Sequence, residues 1–147
     1  MKKLLLTLLM LLCGYSASNA QSNDRIKSAV FTYLHDDCGY ETVYDSDGDI
    51  QFTMDDLVYY AIIKMTDEGY ALAEFRIVFK SNESLDELLT IANDINRSKY
   101  LCKCMAEPGR FQISMEFAAA NTAQALFQTE QALHWFPIWI EDIKDKF

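Results

Sequence analysis

The stretch Leu57–Phe79, LVYYAIIKMTDEGYALAEFRIVF, decides the fold. Two runs rich in β-branched and aromatic residues, Leu57–Met65 and Tyr70–Phe79, flank the turn-forming triplet Asp67-Glu68-Gly69. That pattern predicts a β-hairpin. Side chains on a strand alternate between its two faces. Tyr59, Ala61, Ile63 and Met65 therefore share one face, as do Ala73, Phe75, Ile77 and Phe79 on the partner strand. In a sheet covered on one side only, the other face should be polar. Here it carries Val58, Tyr60, Ile62, Leu72 and Val78, interspersed with Lys64, Glu74 and Arg76. Either helices cover both faces, or the second face is a surface for a partner or a second copy of the chain. On the latter reading those five apolar residues are candidate partner-binding positions.

Outward from the hairpin, the periodicity switches repeatedly between two and 3.6. Upstream, Ile26, Val30, Tyr33 and Leu34 recur at helical spacing, predicting a helix over Asp24–His35 that ends at Gly39. Two short strands follow, near Glu41–Tyr44 and Asp49–Met54. Downstream, Ser84 and Glu87 form the S-x-x-E capping box of a second helix, with Leu85, Leu88, Ala92 and Ile95 as its apolar stripe. Strands are predicted near Lys99–Ala106 and Arg110–Phe117, joined by Glu107-Pro108-Gly109. A long helix closes the chain from about Asn121. Its predicted buried stripe is Leu126, Leu133, Phe136, Ile140, Ile143 and Phe147, and Pro137 should kink or break it. Trp135, Ile138 and Trp139 fall off that stripe, so Trp135 and Trp139 either pack over the sheet edge or anchor a partner. The order helix, four strands, helix, two strands, helix gives the α+β class, with a mostly antiparallel sheet of about six strands.

The segment YDSDGDIQF, Tyr44–Phe52, poses a question of metal binding. Asp45, Asp47 and Asp49 match positions 1, 3 and 5 of a calcium loop. Position 6, which needs glycine, is Ile50, and position 12, which needs glutamate, is Asp56. A hairpin turn at Asp47-Gly48 accounts for the same residues, because glycine accepts a positive φ and aspartate tolerates one. The turn is the preferred reading and weak calcium binding the alternative. No metal or cofactor is expected.

Catalysis finds no constellation. The chain has two histidines, His35 and His134, and neither falls in a nucleophile motif. Phosphate-cradling glycine loops are absent. Asp36-Asp37 and Asp55-Asp56 read as solvated loop charges. Asn82-Glu83-Ser84 and Asn96-Arg97-Ser98 match the short glycosylation sequon. The expectation is a protein that does no chemistry.

The N-terminus points to export. Lys2 and Lys3 precede the apolar run Leu4–Leu12, and small residues lead to Ser18-Asn19-Ala20. The run is too short to span a bilayer, which takes roughly 20 apolar residues. It predicts a signal peptide over residues 1–20, cut after Ala20, and a single domain over 21–147, periplasmic or secreted. Lipoprotein cleavage at Cys13 is disfavoured by Leu12 before it. A net charge of −9 repels nucleic acid and anionic membranes, and no later segment is expected to insert in a membrane. Cys38, Cys102 and Cys104 remain in the domain, and export allows a disulfide between Cys38 and one of the other two.

The acidic segment Asp45, Asp47, Gly48, Asp49, Ile50 and Phe52, the hairpin after it, and the KYLCKCMA and RFQISMEF strands together resemble the YbjN-like family. That family is described as bacterial sensory transduction regulators. The resemblance covers nearly all of residues 21–147 and implies a fold similar to the type III secretion chaperones. It brings no catalytic residues. The expected function is an exported, non-catalytic protein-interaction or chaperone-like module, with an exported calcium- or small-ligand-binding protein as the alternative.

Overall fold

The structure, a computed structural model, describes residues 25–144. The expected signal peptide over residues 1–20, Cys13 and Phe147 lie outside the described residues. Helix α1 occupies residues 25–32 and runs into a π-helical turn, Tyr33–Asp37. Six strands and two helices follow: β1 (Glu41–Tyr44), β2 (Ile50–Met54), β3 (Leu57–Met65), β4 (Ala71–Lys80), α2 (Leu85–Ser98), β5 (Lys103–Glu107), β6 (Arg110–Ala119) and α3 (Thr122–Ile143). The predicted order and class hold. Among the described residues no helix is long and apolar enough to cross a membrane.

The strands form one antiparallel sheet in the order β1-β2-β3-β4-β6-β5. The central hairpin pairs Tyr59 with Ile77 and Ile63 with Ala73. Helix α2 then carries the chain to the far edge, so that β6 returns between β5 and β4 and pairs with β4 from Ala71↔Ala119 to Lys80↔Arg110. Both edge strands are short, which limits the backbone available for unwanted pairing. At the β5 edge the Asn96 side chain of α2 donates to the Cys104 carbonyl at 3.0 Å and accepts from its N–H at 2.7 Å.

The hairpin loops Asp45–Asp49 and Thr66–Tyr70 share one geometry. Asp45 N–H donates to Asp49 O, and Gly48 N–H to Asp45 O. Thr66 and Gly69 repeat the pattern. Gly48 and Gly69 take φ of +80° and +87°, the left-handed position that closes a three-residue hairpin loop. The Asp47-Gly48 turn is therefore real but one residue longer than the two-residue form expected. Between β2 and β3 the tight turn is made by Asp55 and Asp56, both left-handed at φ 52° and 62°. Aspartate tolerates that region because its short polar side chain satisfies nearby backbone.

All three helices pack on one face of the sheet. Ile26, Val30 and Leu34 of α1, Leu88, Ala92 and Ile95 of α2, and Ala132, Phe136 and Ile143 of α3 join one core with Ile50, Phe52, Tyr59, Phe75, Ile113 and Met115. Aromatic contacts tie this core together across strands: Phe52 to Tyr59 at 5.4 Å, Phe75 to Phe117 at 5.8 Å, and Tyr59 to Phe136 of α3 at 5.5 Å. The Ser84–Glu87 capping box forms as predicted. In α3 the Asn121 side chain accepts from Gln124 N–H at 3.0 Å, while Gln124 reaches back to the N–H of Ala120 at 2.8 Å.

Two expectations for α3 need correction. Its buried positions are Ala125, Thr129, Ala132, Phe136, Trp139 and Ile143, while Leu126, Leu133 and Ile140 flank them half-buried. Small residues sit where the helix lies nearest the core, and Thr129 Oγ1 satisfies itself on the Ala125 carbonyl at 2.8 Å. Nor is the helix broken at Pro137: it runs from Thr122 to Ile143. Proline costs the helix a donor, but Phe136 and Trp139 on either side are buried and hold both halves in place.

Candidate functional site

The hairpin alternation, carried through the register, builds a second face that no helix of the described residues covers. One row runs Val43, Gln51, Tyr60, Arg76, Ser114 and Lys103 from edge to edge. The neighbouring rows hold Val58 beside Val78 and Gln112, and Ile62 beside Glu74 and Glu116. Val58, Tyr60, Ile62, Leu72 and Val78, the five hairpin residues expected on this face, are all there. Helices do not cover both faces: those of the described residues all pack on the other side.

The open face is neither a bare apolar sheet nor an ordinary polar one. Val58 and Leu72 are 41% and 50% exposed. Ile62 is 8% exposed, yet it stands apart from the main core. Its cover comes from side chains of the same face. Arg76 lies over the Tyr60 ring at 5.8 Å, Gln112 Nε2 donates to Glu74 Oε1 at 2.9 Å, and Lys103 meets Glu116 at 2.5 Å. Around Ile62 and Leu72 lies a groove of about 440 Å³ whose rim carries Lys64, Glu74 and Glu116. An apolar floor with charges of both signs at its rim is the usual make-up of a protein-binding patch.

The tryptophans do not join this face. They belong to α3, on the other side of the sheet. Trp139 is 3% exposed and makes edge contact with Phe136 at 5.4 Å, so it is a core residue and drops out as a partner anchor. Trp135 is half-buried and stacks on Trp139 at 6.3 Å.

The expected disulfide is also corrected. Cys38, Cys102 and Cys104 are all free. The Cys38 thiol interacts with the Tyr33 hydroxyl and feels Glu130, and burial pushes its pKa up. Cys102 feels Lys99, which pairs with Asp142. Glu130 and Asp142 lie twelve residues apart on α3, about 18 Å at the helical rise. Cys38 lies just before β1 and Cys102 and Cys104 lie at β5, the two opposite edges of the six-stranded sheet, so the sheet's width separates them beyond bridging reach. Cys102 and Cys104 share a hydrogen bond with sulfurs 3.9 Å apart. That bond and nearby Lys99 hold Cys102 below its usual pKa, while the same bond and burial push Cys104 up.

At the acidic turn, Asp45 Oδ1 accepts backbone N–H bonds from Asp47 at 2.9 Å and Asp49 at 2.8 Å. The residue that would be the first calcium ligand thus serves as the turn's own brace. His35 Nδ1 meets Asp36 at 2.8 Å on an exposed surface, and the His134 ring contacts Trp135 edge-on.

The sequence reading placed Arg76 on the open face but missed Lys80 and Arg110, which join it at one end. Alternation along β4 places Arg76 and Lys80 on one face, but Arg110 joins them only through the β4–β6 register.

The sequence profile of the YbjN family, described as "Putative bacterial sensory transduction regulator", matches residues 28–142. No curated protein and no solved structure gave a match.

Proposed function

This chain belongs to the YbjN family, and from that premise we propose that it is an exported, non-catalytic module that binds a protein through its open sheet face. The observation that carries the reading is the exposed apolar pair Val58 and Leu72, with Ile62 beneath the side chains between them, on a sheet whose helices all pack on the opposite side. Such a face suits a chaperone-like hold on a partner segment, or a second copy of the chain. A regulator that acts by docking needs no reactive group, which agrees with the family description. Light scattering across a concentration series distinguishes the two occupants. A mass that doubles with concentration in wild type but not in Leu72→Glu identifies a second copy. A constant monomer mass excludes self-association and leaves a different protein as the occupant.

Export rests on the N-terminal pattern of Lys2, Lys3, the run Leu4–Leu12 and Ser18-Asn19-Ala20. Protein recovered from cells that express the full chain should begin at Gln21 by intact mass. Recovery of the unprocessed chain from the cytosol alone would contradict export.

A further inference from the structure

The cationic end of the open face has a shape and a charge pattern that a general docking surface does not require. A cleft of about 460 Å³ lies between the β1–β2 turn and the strands, with Tyr60 and Val78 as its floor and Arg76, Lys80 and Arg110 along one wall. In a chain of net charge −9, three cations facing one cleft are unexpected. Lys80 and Arg110 stand directly opposite each other across β4 and β6. Like charges in that position destabilise a sheet unless something lies between them.

The donors of this wall are largely unspent. Lys80 makes no hydrogen bond or ion pair with any described residue. Arg110 meets Glu107, its direct partner across β5 and β6, only through an exposed contact at 3.9 Å. Arg76 reaches Glu74 only at 4.0 Å, and its Nε is shut off from solvent without an acceptor. A buried N–H left unmade is costly, so an acceptor that drew the guanidinium into the cleft would be favoured. Asp45 and Asp47 border the cleft from the turn, but neither comes within ion-pairing distance of the three cations. Asp45 is in any case occupied by backbone N–H groups.

We propose that this cleft is a binding site for a small oxyanion-bearing ligand, a carboxylate or a phosphate. Arg76 and Arg110 would grip the oxygens as planar forks, and Lys80, opposite Arg110, would add a point charge. Tyr60 and Val78 supply apolar contact for the ligand's carbon frame. The site stands whether or not a protein docks on the neighbouring groove.

The test is calorimetric titration of the full chain with citrate and, separately, inorganic phosphate, at matched ionic strength. Saturable one-to-one binding is expected for at least one probe. Tighter citrate identifies a carboxylate ligand, and tighter phosphate a phosphoryl one. Lys80→Ala and Arg110→Ala should each weaken binding at least about tenfold, the loss of one charge-assisted contact. Lys64→Ala, on the same face but outside the cleft, should leave it unchanged. All three positions are on the surface, and unchanged melting temperatures verify the folds. The proposal is overturned if neither probe saturates, if Lys80→Ala binds as wild type does, or if Lys64→Ala weakens binding equally.

Discussion

Phe75→Ala lowers unfolding stability by about 3–5 kcal/mol, the usual loss for a buried phenylalanine whose space is not refilled. Phe75 sits mid-strand on β4 at 1% exposure, stacked on Phe117 at 5.8 Å and edge-on to Phe52 at 6.3 Å. Each aromatic pair adds about 0.5–1.5 kcal/mol beyond the area buried. The neighbours on β2 and β6 belong to a hydrogen-bonded sheet and cannot collapse into the space. Total stability of a domain this size is only about 5–15 kcal/mol, so the variant should lose much of its margin. Urea denaturation reads the change directly. A loss below about 1 kcal/mol would mean that the helices do not close over the Phe75 face.

Trp139→Ala should cost a similar 3–5 kcal/mol. Trp139 lies on the inner side of α3, between Trp135 and Phe136, and Phe136 in turn contacts Tyr59 of the sheet. Its removal detaches the C-terminal half of α3, the half that follows Pro137. Trp135→Ala is the matched control. It removes the same ring from a half-buried position and should cost roughly 1–2 kcal/mol, in proportion to the smaller area buried. Equal and small losses for both variants, with lost association for Trp139→Ala alone, would restore Trp139 as a partner anchor and contradict its place in the core.

The contrast between Phe75 and Trp139 shows how far a sequence can be read. Strand residues are assigned to faces by parity, and Tyr59, Phe75, Ile113 and Met115 all lie on the face that alternation gives them. On α3 the angle between neighbouring stripes is small, and weighting by side-chain size favours Leu126 and Leu133. Packing instead favours Ala125, Thr129 and Ala132, because a helix lies closest to its neighbours where its side chains are small. The register between β4 and β6 had no local signal, since α2 and β5 intervene. Without it Lys80 and Arg110 are two unrelated surface charges, and the cleft they line cannot be seen.

The cysteines failed for a related reason. Cys102 and Cys104, two residues apart in sequence, lie together with their sulfurs 3.9 Å apart. Nothing local located Cys38, which the turn after α1 directs toward Glu130. The π-helical turn at Tyr33–Asp37 was equally invisible, as it depends on i→i+5 bonding such as Cys38 N–H to Tyr33 O at 2.9 Å.

The central claim is that the open sheet face holds a protein, and capture with two baits in parallel tests it most directly. Wild type and the double variant Val58→Glu/Leu72→Glu, matched for melting temperature, are exposed to the same extract of the native cells and crosslinked. Both positions are at least two-fifths exposed, so the fold should survive the substitutions. The account predicts a discrete protein, or a second copy of the chain, crosslinked to wild type through β3 and β4 and absent from the double variant. The same protein held equally by both baits, or crosslinks confined to α3, would contradict it.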